Sequence, residues 1–206
     1  MHHGFKKCLV ALAIFFCAEV FLGYFYGCTW TGENSPSLTL NLPVIEIRDK
    51  FIPYEEFCRR NPGECKISEQ SIIELTTKTK NLILEVNTAV NFEIRFVLDK
   101  IQYNKEEFWT YPISGMGDCE DFALEKRFRL TKLGIPIGAL RIAIVNNKKT
   151  LTSHALLLIE TTQGTYAMDR FTNQIFLWYQ LPYNFEARER PDGRWERFDQ
   201  CIWTFY

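Results

Sequence analysis

Between Ser68 and Phe96 the apolar residues Ile72, Ile73, Leu75, Leu82, Ile83, Val86, Val90 and Ile94 recur mostly at three- and four-residue steps. That period gathers them on one face of a long amphipathic helix, with Lys78, Lys80 and Asn81 between them and a break expected near Asn87 or Asn91. A face of this kind most simply packs on a core. From Tyr103 to Gly117 the pattern gives way to a loop with Trp109, Tyr111 and Pro112 as anchors, and Gly115 and Gly117 permit tight turns at its end. A second helix is predicted from Cys119 to about Leu133. Asp118 suits its N-cap, Asp121 approximates a capping box, and Gly134 and Pro136 close it. Phe122, Leu124 and Phe128 give it apolar contacts, while Lys126, Arg127, Arg129 and Lys132 crowd the end where the helix dipole favours cations.

Three strands follow, at Ala139 to Val145, Ser153 to Glu160 and Thr165 to Phe171. If residues 161–164 form the second loop, Glu160 faces Thr165, Ala155 faces Arg170 and Leu156 faces Asp169. His154 and Asp169 then lie on one sheet face as diagonal neighbours. A loop one residue longer or shorter changes the register and can part them.

The 206 residues, less a removable leader, suffice for one well-buried domain, and 47% apolar and 15% aromatic residues make it globular. With 24 basic and 25 acidic residues the chain offers no polyanion-binding surface, so nucleic acid is not an expected partner. The first residues differ from the rest. Lys6 and Lys7 precede the apolar run Cys8 to Ala18, Glu19 interrupts it, and apolar character resumes from Val20 to Tyr26. The uninterrupted run is short for a span, so residues 1–28 are expected to be a signal peptide or N-terminal anchor, with export, and 29–206 the folded domain. Residues 29 to 45 read as an extended lead-in.

Seven cysteines occur. Cys58 and Cys65 flank a Pro62-Gly63 turn, and a local disulfide is expected there in an oxidising compartment. Whether Cys28 pairs with Cys201 stays open. Cys119 has polar, charged neighbours and opens a helix, where unpaired backbone N–H groups favour a thiolate and can hold an oxyanion. Only three histidines occur, and His2 and His3 stand at the extreme N-terminus, so His154 is the candidate base and Asp169 the acid that would orient it. Each has a plainer reading: a buried small hydrophobe, a satisfied core histidine, and a strand-end cap.

The segment Trp109-x-Tyr111-Pro112, Gly115-x-Gly117-Asp118-Cys119-Glu120-Asp121-Phe122-Ala123-Leu124-x-Lys126-Arg127, with Ser153-His154-Ala155-Leu156-Leu157 and Met168-Asp169 downstream, resembles the bacterial transglutaminase-like cysteine proteinases of the LapG-like group. The Cys58 to Cys65 segment is similar to the exported branch. The resemblance spans about residues 45 to 200. It implies an α+β papain/transglutaminase-like fold, with the nucleophile helix packed on an antiparallel sheet. It also implies periplasmic proteolysis with Cys119, His154 and Asp169 as nucleophile, base and orienting acid, and an association with adhesin release and biofilm control. In the same way it implies a structural or regulatory calcium on Asp118 and Glu120, with Asp121 as a further ligand. Helix capping is the competing use of Asp118 and Asp121. One departure stands out: Met168-Asp169-Arg170 replaces the family's usual Leu-Asp-Asn.

The expectation is therefore an exported cysteine protease, monomeric, acting on a protein or peptide substrate through a Cys119 acyl-enzyme, with a membrane-bound regulator as a further partner. No cofactor is required for the chemistry. Capture of the thioester by an amine would make the same site a transglutaminase or amidase. The non-enzymatic alternative is a peptide-binding module built on the aromatic loop around Trp109 and Tyr111.

Overall fold

A computed structural model describes residues 44–48, 51–65, 70–190 and 192–198; the expected leader, Cys28 and Cys201 lie outside them. The chain opens with strand β1 (Val44–Arg48) and helix α1 (Ile52–Arg60), which starts on Pro53 and buries Tyr54 and Phe57. Pro suits a first helical turn because that turn has no use for its N–H. Cys58 and Cys65 are disulfide-bonded, with Cα atoms 5.6 Å apart, as the intervening Pro-Gly turn led us to expect.

Helix α2 (Thr77–Glu93) begins later than the apolar spacing suggests. Thr76 caps it, its hydroxyl accepting from the Thr79 N–H at 3.1 Å. Ile73 instead runs alongside β-structure, donating its N–H to the Glu160 carbonyl and accepting from the Thr162 N–H, both at 3.0 Å. Reading Ile72, Ile73 and Leu75 into the helical face was thus misleading, because a short apolar cluster carries no reliable period. Nor does α2 break at its asparagines. Asn87 and Asn91 turn their amides away from the helix axis to carbonyls of the 169–174 segment, so they tie elements together rather than compete with the helix backbone.

Next come β2 (Arg95–Phe96), the single turn α3 (Asp99–Gln102) and β3 (Met116–Gly117), with β2 and β3 pairing in parallel. Helix α4 (Cys119–Lys132) ends where predicted. Gly134 takes φ +92°, the Gly134 N–H reaches the Thr131 carbonyl and the Ile135 N–H the Leu130 carbonyl, each at 3.0 Å. This is a Schellman ending, and its left-handed residue is why glycine stands there.

The rest is sheet: β4 (Leu140–Asn147), β5 (Ser153–Thr161), β6 (Gly164–Met168), β7 (Ile175–Leu177), β8 (Tyr183–Glu189) and β9 (Trp195–Phe198). With β1 they form one antiparallel sheet ordered β1-β9-β8-β4-β5-β6-β7. The β5–β6 register opposes Glu160 to Thr165, the alignment expected, and Thr161 also pairs with Gly164, which tightens the loop to Thr162-Gln163. The third strand stops at Met168, so Asp169 lies just beyond it.

Helices α1, α2 and α4 cover one sheet face, where Ile142, Leu157, Ile159 and Met168 meet Ile83, Val90, Leu124 and Leu130. On the other face Val145, Leu156 and Leu158 meet Trp178, Phe185 and Phe198. Strand β5 is buried on both sides, and its apolar run reads continuously rather than in alternation. The fold is the α+β arrangement expected, a nucleophile-bearing helix on an antiparallel sheet, with α4 packed against β5. Among the described residues no helix is long and apolar enough to cross a membrane.

Candidate active site

Cys119 is the first residue of α4, and Asp118 precedes it as N-cap. The half-buried thiol donates to Oε2 of Glu120 at 3.3 Å. Burial, and after it the charge of Glu120, push the thiol well above its ordinary range; the Ala155 N–H on β5 acts in the opposite sense. That contact with Ala155 brings the start of α4 to the strand residue following His154.

His154 is buried, with Nε2 2.8 Å from Oδ1 of Asp169. Its ring lies between Phe171 and Tyr183, at centroid distances of 5.2 and 5.5 Å. Burial alone would raise the Asp169 pKa, but hydrogen bonds from His154, Tyr183 and the Phe171 N–H, together with the charge on His154, hold it below its ordinary value. An ionised Asp169 accepts the Nε2–H, which leaves Nδ1 as the ring's basic nitrogen.

Two residues that the sequence did not single out position Asp169. Tyr183 donates its hydroxyl to Oδ2 at 2.5 Å, and Asn91 Nδ2 donates to the Asp169 carbonyl at 3.0 Å. Asn91 lies 78 residues away in sequence, and nothing local signals the contact.

Behind the thiol, carboxylate oxygens of Asp99, Asp118 and Glu120 lie within 4.8 Å of one another. Asp118 does not cap α4 with its side chain; its Oδ2 accepts the Asp99 N–H at 3.1 Å, while Asp99 accepts from the Phe108 N–H. Each of the three keeps one buried oxygen without a partner: Asp99 Oδ1, Asp118 Oδ1 and Glu120 Oε1. Burial, reinforced by the charge of Asp118, raises Asp99 to about 6 and Glu120 to about 10. Acidic groups this crowded, with oxygens left over, have the chemistry that a hard divalent cation such as calcium accepts.

Of the expected ligands Asp118, Glu120 and Asp121, the first two lie in this cluster together with Asp99. Asp121 is not one of those three: its Oδ1 accepts the Thr110 N–H at 2.9 Å and so holds the aromatic loop against α4, while its Oδ2 is buried without a partner. Burial raises it to about 8. Asp99 is the cluster member that the sequence reading did not include. An acid ending the apolar run Phe96-Val97-Leu98 was the one available signal, and too common to use.

Cys119, His154 and Glu120 line one cleft of about 840 Å³, whose walls also carry Phe96, Arg170 and Phe171.

The model of the bacterial transglutaminase-like cysteine proteinases matches residues 45–201. Calcium-bound LapG of Legionella pneumophila has a similar structure, with TM-score 0.52 and 23% identity, covering 61% of this chain and 74% of that one. EGTA-treated LapG from the same organism gives TM-score 0.52 and 21% identity, covering 73% of this chain and 81% of that one. Among functionally curated proteins none matches the chain. At these identities the structural likeness speaks for the fold, and the family model, matching about three quarters of the sequence, speaks for kinship: the chain belongs to the bacterial transglutaminase-like cysteine proteinases.

Proposed function

We propose that this protein hydrolyses a peptide bond in a protein substrate, with Cys119 as nucleophile, His154 as general base and acid, and Asp169 as the group orienting His154. The observation that carries this reading is the buried His154–Asp169 hydrogen bond on the wall of the cleft that Cys119 also lines. His154 takes the thiol proton as Cys119 Sγ bonds to the scissile carbonyl carbon. Backbone N–H groups at the start of α4 receive the developing oxyanion. His154 passes the proton to the departing amine, the C–N bond breaks and a thioester remains. Water, deprotonated by His154, then attacks the thioester and restores the thiol.

The thiol needs help to ionise, because burial and Glu120 both oppose it. Asp99, Asp118 and Glu120 are suited to hold a divalent cation, which when bound supplies positive charge beside Cys119 and so favours its thiolate. The comparison proteins were seen calcium-bound and EGTA-treated, which makes calcium the cation to test.

Export to the periplasm accords with the Lys6-Lys7 and apolar leader, and the Cys58–Cys65 disulfide supports an oxidising compartment. A cell-surface or periplasmic protein, such as an adhesin, is then the substrate within reach.

The test is turnover of a protein substrate followed by product mass. Hydrolysis should add one water across a peptide bond, and Cys119→Ala and His154→Ala should each abolish it while leaving thermal unfolding cooperative. Products joined to an added amine would instead mark transferase chemistry. Undiminished cleavage by either variant would sink the assignment.

A further inference from the structure

The residue that departs from the family pattern, Arg170, stands inside the cleft beside Cys119 and His154. Its guanidinium carbon lies 3.9 Å from the ring centroids of both Phe96 and Phe171, two partly exposed rings at the cleft wall. Rings pressed against a guanidinium steady it without consuming its N–H donors, and those donors are arranged in a planar fork. Nε is buried with no hydrogen-bond partner. The obvious neutralising neighbour is already engaged: Asp169 accepts from His154, Tyr183 and the Phe171 N–H. Lys100, the cleft's other long cation, is tied to Glu106 at 2.6 Å. Burial works against the charge on Arg170, and Cys119 is foremost among the groups that favour it, consistent with a place close to the reacting thiol.

We propose that Arg170, held by Phe96 and Phe171, forms a subsite for a carboxylate of the peptide substrate next to the scissile bond. This rests on the peptidase reading of the cleft and adds to it the charge of the preferred substrate. A guanidinium binds a carboxylate in a bidentate, charge-assisted pair, a match that an amide or an apolar side chain cannot make. Other acids in the cleft, Glu107 and Glu186 among them, repel a carboxylate elsewhere along its length, so the preference is confined to one substrate position. The carboxylate belongs either to an Asp or Glu side chain or to the substrate's own C-terminus.

The experiment measures binding, so that it does not depend on turnover. Fluorescent peptide pools with randomised flanks carry Glu or Gln at one fixed position and an amidated C-terminus; a third pool carries Gln and a free C-terminus. Each is titrated against the full chain bearing Cys119→Ala, alone and combined with Arg170→Gln or Arg170→Lys. The expected result is about tenfold tighter binding of a carboxylate-bearing pool over its neutral match, the size of one charge-assisted hydrogen-bond pair. Arg170→Gln should bring that ratio to about one, and Arg170→Lys, which keeps the charge but not the fork, should leave it intermediate. A Glu-pool advantage identifies a side-chain carboxylate, and an advantage of the free-C-terminus pool a terminal one. Equal or absent binding of all pools, or a preference that survives Arg170→Gln, overturns the subsite. Turnover of the same pools by the unsubstituted chain reports separately on the peptidase reading.

Discussion

Tyr183 donates its hydroxyl to Oδ2 of Asp169 at 2.5 Å, the carboxylate whose other oxygen holds His154. Burial, with Asp169 as its next influence, keeps the Tyr183 hydroxyl protonated far beyond neutral pH, so it stays a donor throughout the working range. Tyr183→Phe removes this bond and little else. It should cost about 2 kcal/mol of stability, the worth of a hydrogen bond to a charged group.

The same substitution should move the acid limb of the activity profile. Asp169 is held below its ordinary pKa, so its contribution is complete above the unfolded value near 4 and is lost as pH falls through the lower folded value. Losing the Tyr183 donor raises that folded value. The acid limb of kcat/KM should therefore shift to higher pH in Tyr183→Phe, and an unmoved limb would show that Tyr183 does not act through Asp169.

The acidic cluster predicts the opposite slope. Asp99 and Glu120 of the cluster stand at about 6 and 10, and Asp121 beside it at about 8, all above their unfolded values near 4. Groups with raised pKa stabilise the fold fully below the unfolded value, and that stability is lost as pH rises toward the folded one. With EGTA present, Tm should fall as pH rises from about 5 to 8, the span those carboxylates cover. Calcium should raise Tm, most at the alkaline end, because it replaces the protons. Equal Tm with EGTA and calcium across the range would exclude these carboxylates as a calcium site.

Gly117 is where the cluster meets the aromatic loop. A Cβ there would lie 2.6 Å from Oδ2 and 2.7 Å from Cβ of Asp121, contacts too short to keep. Gly117→Ala should destabilise by about 1–3 kcal/mol, as overpacking does, and displace the start of α4. Iodoacetamide labelling of Cys119 should change in rate along with Tm; an unchanged rate would mean that α4 tolerates the shift.

Outside the cleft lining, Arg127 and Glu189 form a buried pair at 2.6 Å, with Tyr54 donating to Glu189 and Ile142 N–H nearby at 3.4 Å. Glu189→Ala strands the Arg127 charge in the core and should cost about 3–5 kcal/mol, read by urea unfolding. Turnover per folded molecule should be kept, since neither residue lines the cleft.

Local pattern placed the bounds of α4 and the Cys58–Cys65 bridge, and, granted a loop at 161–164, the β5–β6 register that brings His154 to Asp169; the side-chain cap read for Asp118 does not form. Caps, tight turns and hairpin pairing are settled by residues a few positions apart, so their chemistry is written in short stretches of chain. The start of α2 failed that reading because Ile72, Ile73 and Leu75 were read into the helical face, whereas Ile73 is claimed by the sheet edge at Glu160 and Thr162. Tertiary structure decided what surrounds the pair. Asp99 joins Asp118 and Glu120 in the acidic cluster, Asn91 and Tyr183 converge on Asp169 from a helix and a distant strand, and Arg170 settles on Phe96. Such contacts depend on how α2, β2 and β8 stack around the cleft, and packing between separate elements leaves no periodic trace in any one of them.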